Sequence, residues 1–304
     1  MHNRARFLIF FQYIGTKYSG AAKVPPDQLQ MGKKGIQDHL EEAIMRLKPV
    51  TPLFLRVSSR TDKGVHAICN TAHFDLQCGN DKPLFTEEIL VEALNYHLAS
   101  EQIQVTRAQR VPDDFHARFR AQSRTYVYRL ALGISHPTLL PVTERDLCWN
   151  LHSLKLDFGA MHEAAALLLG THDFSSFRAP DSKMALKSPV KTMDVVSLQP
   201  GSSFARIHFH RDVPFWELTF KSRSFLYKQV RRMVGAIVAV GLQTYSVPQL
   251  KSLLDARDSM MYPSWMTAPP RGLFLTRVEY RESDLQLSQQ SSEDQLTSSG
   301  NLED

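Results

Sequence analysis

Apolar positions along this chain shift from runs and alternation to helical periods and back, and the shifts predict the same order of elements twice. Arg6–Tyr13 (RFLIFFQY) is apolar and aromatic enough for a buried strand. A Gly/Pro-rich loop from Gly15 to Gly35 leads into Ile36–Lys48, where Ile36, Leu40, Ile44 and Leu47 recur at helical spacing. Pro49 and Pro52 end that helix. Leu53–Ser58 and Ala67–Leu76 read as strands around a sharp connection. Thr86 caps a predicted helix running to Ala99, with Ile89, Leu90, Ala93, Leu94 and Leu98 on one face, and Ile103–Arg110 alternates as a strand should.

The second half repeats this βαββαβ order. Arg124–Leu132 alternates, with Tyr126, Tyr128 and Leu130 on one face and Thr125, Val127 and Arg129 on the other. Asp157–Leu169 predicts a helix ending at Gly170, followed by strands at Val190–Leu198, Ala205–His210 and Phe215–Lys221. Ser224–Gly241 predicts a long helix, Ser246-Val247-Pro248 starts another, and Leu273–Tyr280 closes as a strand. The expected fold class is α+β: two ferredoxin-like βαββαβ halves joined edge to edge in a mixed, mainly antiparallel sheet with helices on one side. The expected boundaries are an N-terminal domain over 1–112, a C-terminal domain over 113–282 and an acidic tail over 283–304.

Length and composition narrow the class. The 304 residues suit about two domains, and a hydrophobic fraction of 43% with 22% charged residues supports a sizeable core. No stretch approaches the roughly 18 uncharged apolar residues of a membrane helix, so no membrane partner is expected. Three cysteines, none in a C-x-x-C, make a disulfide framework or a structural zinc cluster a poor fit. The net charge of +5 suggests an anionic partner, and its distribution says more than its sum. Arg118, Arg120, Arg124 and Arg129 fall in an acid-free stretch between Asp114 and Glu144. Lys221, Arg223, Lys228, Arg231, Arg232 and Lys251 fall in another between Glu217 and Asp255. After Arg281 the balance inverts to six acids and no base, which predicts a disordered tail. Met1–Pro26 carries four bases and no acid, a faint likeness to an organelle transit peptide, although Arg6–Tyr13 already reads as the first core strand, the stronger of the two readings. The basic stretch leans toward a mitochondrial location, with cytoplasm or nucleus as the alternative.

Most standard catalytic constellations are missing: no G-x-x-x-x-G-K-[ST], no G-x-G-x-x-G, no G-x-S-x-G, and His162-Glu163 meets Ala166 where H-E-x-x-H needs histidine. His208-x-His210 is a weak ligand signal, and no metal is expected. The segment Ser58–Ala67 (SSRTDKGVHA) packs Asp62, Arg60, two serines and a threonine into a tight turn between apolar strands. It is either a plain hairpin turn or a device presenting one carboxylate at a sheet edge. Phe115–Arg129 interleaves arginines with aromatics, suiting phosphates and unpaired bases, or is a half-buried strand with solvated arginines. In the helix after Phe225, a step of about 100° per residue puts Leu226, Val230, Met233, Val234 and Ile237 on a buried face. Arg231 falls at its edge and Arg232 well away, so Arg231 is the one a core-side carboxylate reaches. Taken alone, the helix equally allows two phosphate-facing arginines.

Together these segments resemble the TruA family of tRNA pseudouridine synthases, and within it the animal branch. The resemblance rests on Ser59–Ala67, Asp114–Arg118, Ser123–Tyr126, Gly170–Phe177, Phe225-Leu226 with Val230-Arg231, and Ala268-Pro269 with Gly272–Leu275. It implies the pseudouridine synthase fold with an RNA cleft between its halves, tRNA as partner, and homodimers as among bacterial relatives. It implies that Asp62 is the essential aspartate, that Tyr126 stacks on a flipped uracil and that Arg231 pairs with Asp62. Arg60 would help hold the opened RNA, and Arg118, Arg120 and Arg124 would join it. Moving the sugar from N1 to C5 of uracil changes no oxidation state and loses no group, so no cofactor is expected. The alternatives from other classes are a catalytically silent RNA-binding protein on the same fold and a metal-dependent nuclease. Two departures stand out: Gly20–Pro26 (GAAKVPP) replaces the family's Gly-Trp-Gln-x-Gln stretch, and Lys63 replaces the usual small residue after the aspartate.

Overall fold

The first strand, β1 (Arg4–Tyr13), is apolar at nearly every position because both of its faces are covered. Phe7, Ile9, Phe11 and Tyr13 join the main core, while Leu8 and Phe10 pack with Val111, Phe115 and Ala117 on the other side. The computed structural model describes residues 4–79, 83–180, 188–203 and 212–287, and within them ten strands form one sheet.

The first half comprises β1, α1 (Pro26–Gln30), α2 (Ile36–Arg46), β2 (Arg56–Val57), β3 (His66–Gln77), α3 (Glu87–Leu98) and β4 (Ile103–Val111). The second comprises β5 (Ser123–Leu132), β6 (Trp149–Leu151), α4 (Phe158–Leu168), β7 (Gly170–Asp173), β8 (Val190–Pro200) and β9 (Phe215–Ser222). It continues through α5 (Gln229–Gly241), α6 (Val247–Ala256), β10 (Leu273–Glu279) and α7 (Glu282–Leu285). The main path runs β4-β1-β3-β10-β5-β9-β8-β7, with β2 beside β3 and β6 beside β5. Each half therefore follows the ferredoxin-like order, β4-β1-β3-β2 and β10-β5-β9-β8. All pairings are antiparallel except β3 with β10 and β5 with β6. Residues 112 and 113 lie in the connection from β4 to β5. No helix among the described residues is long and apolar enough to cross a membrane.

The joint between the halves creates the opening for a site. One edge of β3 is shared: Arg56 and Val57 of β2 pair with His73 and Ala72, whereas Phe274 and Leu275 of β10 pair with His66 and Ala67. The chain between β2 and β3 leaves the sheet in the gap between these partners.

Helix starts follow local chemistry. Thr86 Oγ1 accepts the Ile89 N–H at 3.3 Å, and Ser246 and Gln249 close a capping box. Each such cap is worth about 1 kcal/mol. Leu90, Leu94 and Leu98 of α3 are buried, but Ile89 is exposed. Three expectations shift. The helix predicted from Ser224 begins at Gln229, because Lys228 sits in the left-handed region at φ +56° and breaks the helical run. Strands β6 and β7 were not foreseen, being three and four residues long and too short for a period. The first residues of the acidic tail are held, since α7 lies against β4 and Asp284 pairs with Arg120 at 3.2 Å. The rest of the tail and the strand expected at Ala205–His210, with its histidine pair, lie outside the described residues.

Candidate active site

The Asp62 loop is fastened from below by a buried polar network. Asn70, fully buried on β3, donates to Ser59 O at 3.0 Å and to the Tyr13 hydroxyl at 3.3 Å, and accepts from Ser58 Oγ at 2.9 Å. The Tyr13 hydroxyl lies 2.8 Å from Thr61 Oγ1. Ser58 N–H donates to Thr71 O at 2.8 Å, and a turn from Asp62 to Val65 closes the loop at 3.1 Å. The loop's outer side rests on Gly20 and Ala21, where Ala21 N–H donates to Thr61 O at 3.0 Å. Gly20 has φ +107°, and a Cβ there would come 2.9 Å from Thr61 O. The stretch in which this sequence departs from its family pattern is thus the seat of the loop, and its first glycine is required there.

Asp62 faces α5 across the joint. Arg231 Nη1 donates to Asp62 Oδ2 at 3.0 Å, with 13% and 23% of the two side chains exposed. Arg231 is aimed from behind: its Nε donates to Ala268 O at 2.8 Å, and Ala268 N–H returns a bond to Arg231 O at 3.1 Å. This closeness depends on Gly235, where a Cβ would fall 1.7 Å from Met266 O. Arg232 does leave this face, but it does not reach solvent. It is buried, donates to Ser176 O and Arg178 O at 3.1 and 2.8 Å, and lies over the Tyr262 ring. The reading of two phosphate-facing arginines therefore fails, because the far side of α5 is also packed.

Tyr126 stands on β5 between Leu275 of β10 and Phe220 of β9, its ring edge-on to Phe225 at 5.1 Å. Burial pushes its phenol well above the ordinary range, with Tyr13 adding to the shift. At neutral pH its hydroxyl therefore stays protonated.

Asp62, Tyr126 and Arg231 line one cavity of about 780 Å³, within the usual range for a ligand site. Among the described residues its charged lining is lopsided: Arg60, Arg118, Arg124, Lys191, Arg223, Lys228 and Arg231 stand against the carboxylate of Asp62. Such a wall suits an anionic chain threaded past one acid.

The other arginines singled out in the sequence divide. Arg60 and Arg118 line the cavity. Arg120 is not in the lining and pairs with Asp114 at 2.7 Å and with Asp284. Arg124 is buried, and its guanidinium is committed to carbonyls: Arg223 O at 2.6 Å, Arg118 O at 2.9 Å and Ser58 O at 3.2 Å. Burial lowers its pKa, yet three separate segments of the cavity wall meet on it. Arg129 pairs with buried Glu144 at 2.7 Å. The arginine stripe of β5 is thus an internal scaffold rather than a row of solvated cations. Phe119, Arg223, Phe225 and Lys228 lie in stretches the sequence had marked but were not singled out as site residues, whereas no local motif marks Tyr13, Asn70 or Lys191.

One histidine ties the turn before β5 to the sheet. His73 is buried beside Phe115 and His116, and its Nδ1 accepts the Ala117 N–H at 3.1 Å. Burial, with the nearby His116 and Arg6 charges, pushes its pKa down to about 4. The unfolded chain takes up this proton near pH 6.5, so the contribution is complete above that pH and drains away as pH falls toward 4. The expected loss is about 3 kcal/mol at the acid end. Thermal unfolding of wild type and His73→Gln between pH 7.5 and 4.5 checks this: the variant should show the shallower acid decline. Equal declines would place the sensitivity elsewhere.

With the geometry in hand, comparison with known proteins gives one answer. The family model for tRNA pseudouridine synthase matches residues 9–120 and 164–281. The chain belongs to this family, of the TruA type. It is 49% identical to tRNA pseudouridine synthase-like 1 of Xenopus laevis, over 94% of this chain and 95% of that one. To the human protein of the same name it is 48% identical, over 91% and 90%. To tRNA pseudouridine synthase A of Maricaulis maris it is 39% identical, over 90% and 98%. Asp62 and Arg231 fall inside the two matched segments, one in each, and Tyr126 lies between them.

Proposed function

We propose that this protein isomerises uridine to pseudouridine in tRNA, with Asp62 acting on the sugar of a nucleotide flipped into the cavity. The observation that carries this reading is the Asp62–Arg231 pair, a carboxylate held at 3.0 Å in a cationic cavity whose lining includes Tyr126. A stacked uridine hides C1′, so the nucleotide has to be turned out at a cost of a few kcal/mol. Stacking on Tyr126 offsets part of that cost, and the cations hold the phosphates on either side. The Asp62 carboxylate then attacks C1′ or stabilises the positive charge that grows there as the C1′–N1 bond breaks. The detached uracil turns within the cavity and C5 bonds to C1′. Water takes up the C5 proton, N1 ends protonated, and the product is an isomer of the substrate. Arg231 supplies the counter-charge that holds Asp62 in place throughout.

The resemblance also supports a homodimer, and the basic leader supports a mitochondrial location. Within that basic stretch, Arg4–Tyr13 is an inner strand of the sheet, with Arg4 and Arg6 bonded to Asp75.

The test is tritium release. Purified protein, incubated with tRNA tritiated at uracil C5, should release tritium to water and leave pseudouridine in the digest. RNA binding without release from any tRNA would instead identify a silent RNA-binding protein. Strand cleavage that a chelator stops would identify a nuclease.

A further inference from the structure

Two aromatic side chains of the cavity lining are left in solvent, against the trend around them. Phe119 is 68% exposed and Tyr227 43%, whereas Tyr126 is 8% exposed. Each has a cation from the adjacent position beside its ring: Arg118 Cζ lies 5.7 Å from the Phe119 centroid, and Lys228 Nζ lies 5.1 Å from that of Tyr227. Phe119 is backed by the His116 ring at 4.2 Å.

Their placement is built into the scaffold. One segment enters β5 and the other leaves β9, and Arg124 pairs with Ser222 at that shared end of the ladder. The Arg124 guanidinium binds the carbonyl of Arg118 on one segment and of Arg223 on the other, while also holding Ser58 O at the root of the Asp62 loop. Both aromatic–cation pairs are thereby spaced from the carboxylate through one side chain. The left-handed backbone of Lys228 is uncommon for a residue that carries a side chain. It ends the approach to α5 and leaves Tyr227 and Lys228 in the cavity lining instead of inside a helix.

We propose that Phe119 and Tyr227 are stacking platforms for the unpaired bases on either side of the target uridine. An exposed ring with an adjacent cation takes a base face and its phosphate together. It does so whatever the base, since every base has a π-face. A-form duplex conceals those faces, so the substrate class is RNA whose uridine is flanked by unpaired nucleotides, as in a loop or bulge. The inference rests on the uridine-isomerase reading.

The experiment uses a short stem–loop RNA with a single uridine in its loop and 2-aminopurine at either neighbour, beside bulk tRNA. Phe119→Leu and Tyr227→Leu should each raise KM about tenfold with kcat nearly unchanged, and each should lose the quenching of one 2-aminopurine on binding. Phe119→Trp and Tyr227→Phe should restore both. Replacing the flanking nucleotides by abasic sites should weaken wild type by the same factor and weaken the leucine variants no further. Wild-type KM and quenching in the leucine variants would overturn the proposal. So would a loss that persists undiminished on the abasic RNA, which would make the residues structural. Binding and quenching are read without turnover. Absence of tritium release by wild type therefore refutes the isomerase reading alone, whereas unchanged quenching refutes the platforms alone.

Discussion

Asp62→Asn should yield a protein that folds and binds tRNA within a few-fold of wild type, while tritium release falls at least about a thousandfold, roughly 4 kcal/mol of barrier. The amide keeps the shape of the carboxylate and still accepts a bond from Arg231 at the 3.0 Å position. It removes the charge that can attack C1′ or balance a cation there. Binding survives because it is spread over Arg60, Arg118 and the other cations of the lining. The discriminating measurement is single-turnover release beside a filter-binding titration. If affinity fell as steeply as rate, Asp62 would be a part of the loop's architecture and not a reacting group.

Arg124→Lys should be the most damaging conservative change in the cavity wall. Its fork bonds Ser58 O, Arg118 O and Arg223 O, carbonyls from three segments of the cavity wall. An ammonium has neither the planarity nor the reach to meet all three, so at least one buried carbonyl goes unpaired. The expected loss is about 3 kcal/mol, or roughly 5 °C in Tm for a chain of this size. The rate should fall about a hundredfold, because the Asp62 loop is no longer spaced from the rest of the lining. Differential scanning calorimetry with the tritium assay checks both. An unchanged Tm would show that the carbonyls find other donors.

The sequence carried the order of elements well where one period governed a segment. The apolar run of β1, the alternation of β5 and the capping residues Thr86 and Ser246 were legible because each is a local matter of burial or hydrogen bonding. The start of α5 was not. Leu226 and Val230 keep the helical spacing across Lys228, so the period runs on through a position whose backbone turns left-handed. Arginine roles were the least legible. Arg118, Arg120, Arg124 and Arg129 look alike on a stretch without acids. What separates them is an acid or carbonyl brought from afar: Asp284 for Arg120, Glu144 for Arg129, and Ser58 O and Arg223 O for Arg124. The Asp62–Arg231 pair itself spans the two halves, and helical geometry chose Arg231 over Arg232. It did not reveal that Arg232 would be buried too.

The place of β10 has a consequence for how the protein is made. Phe274 pairs with His66, about two hundred residues upstream, and Leu275 pairs with Tyr126 on the opposite edge of the same strand. The strand that seams the two halves is therefore the last sheet element to leave the ribosome among the described residues. Until it emerges, the half carrying Asp62 and the half carrying Arg231 are not joined into one sheet, and the ion pair between them lacks the strand that sets its register. Domains emerging from the ribosome fold from the N-terminal side, so the first half waits with the β10 edge of β3 unfilled. A chain that ends before this seam is therefore expected to expose unpaired sheet edges and to aggregate, in place of folding to a weakened enzyme.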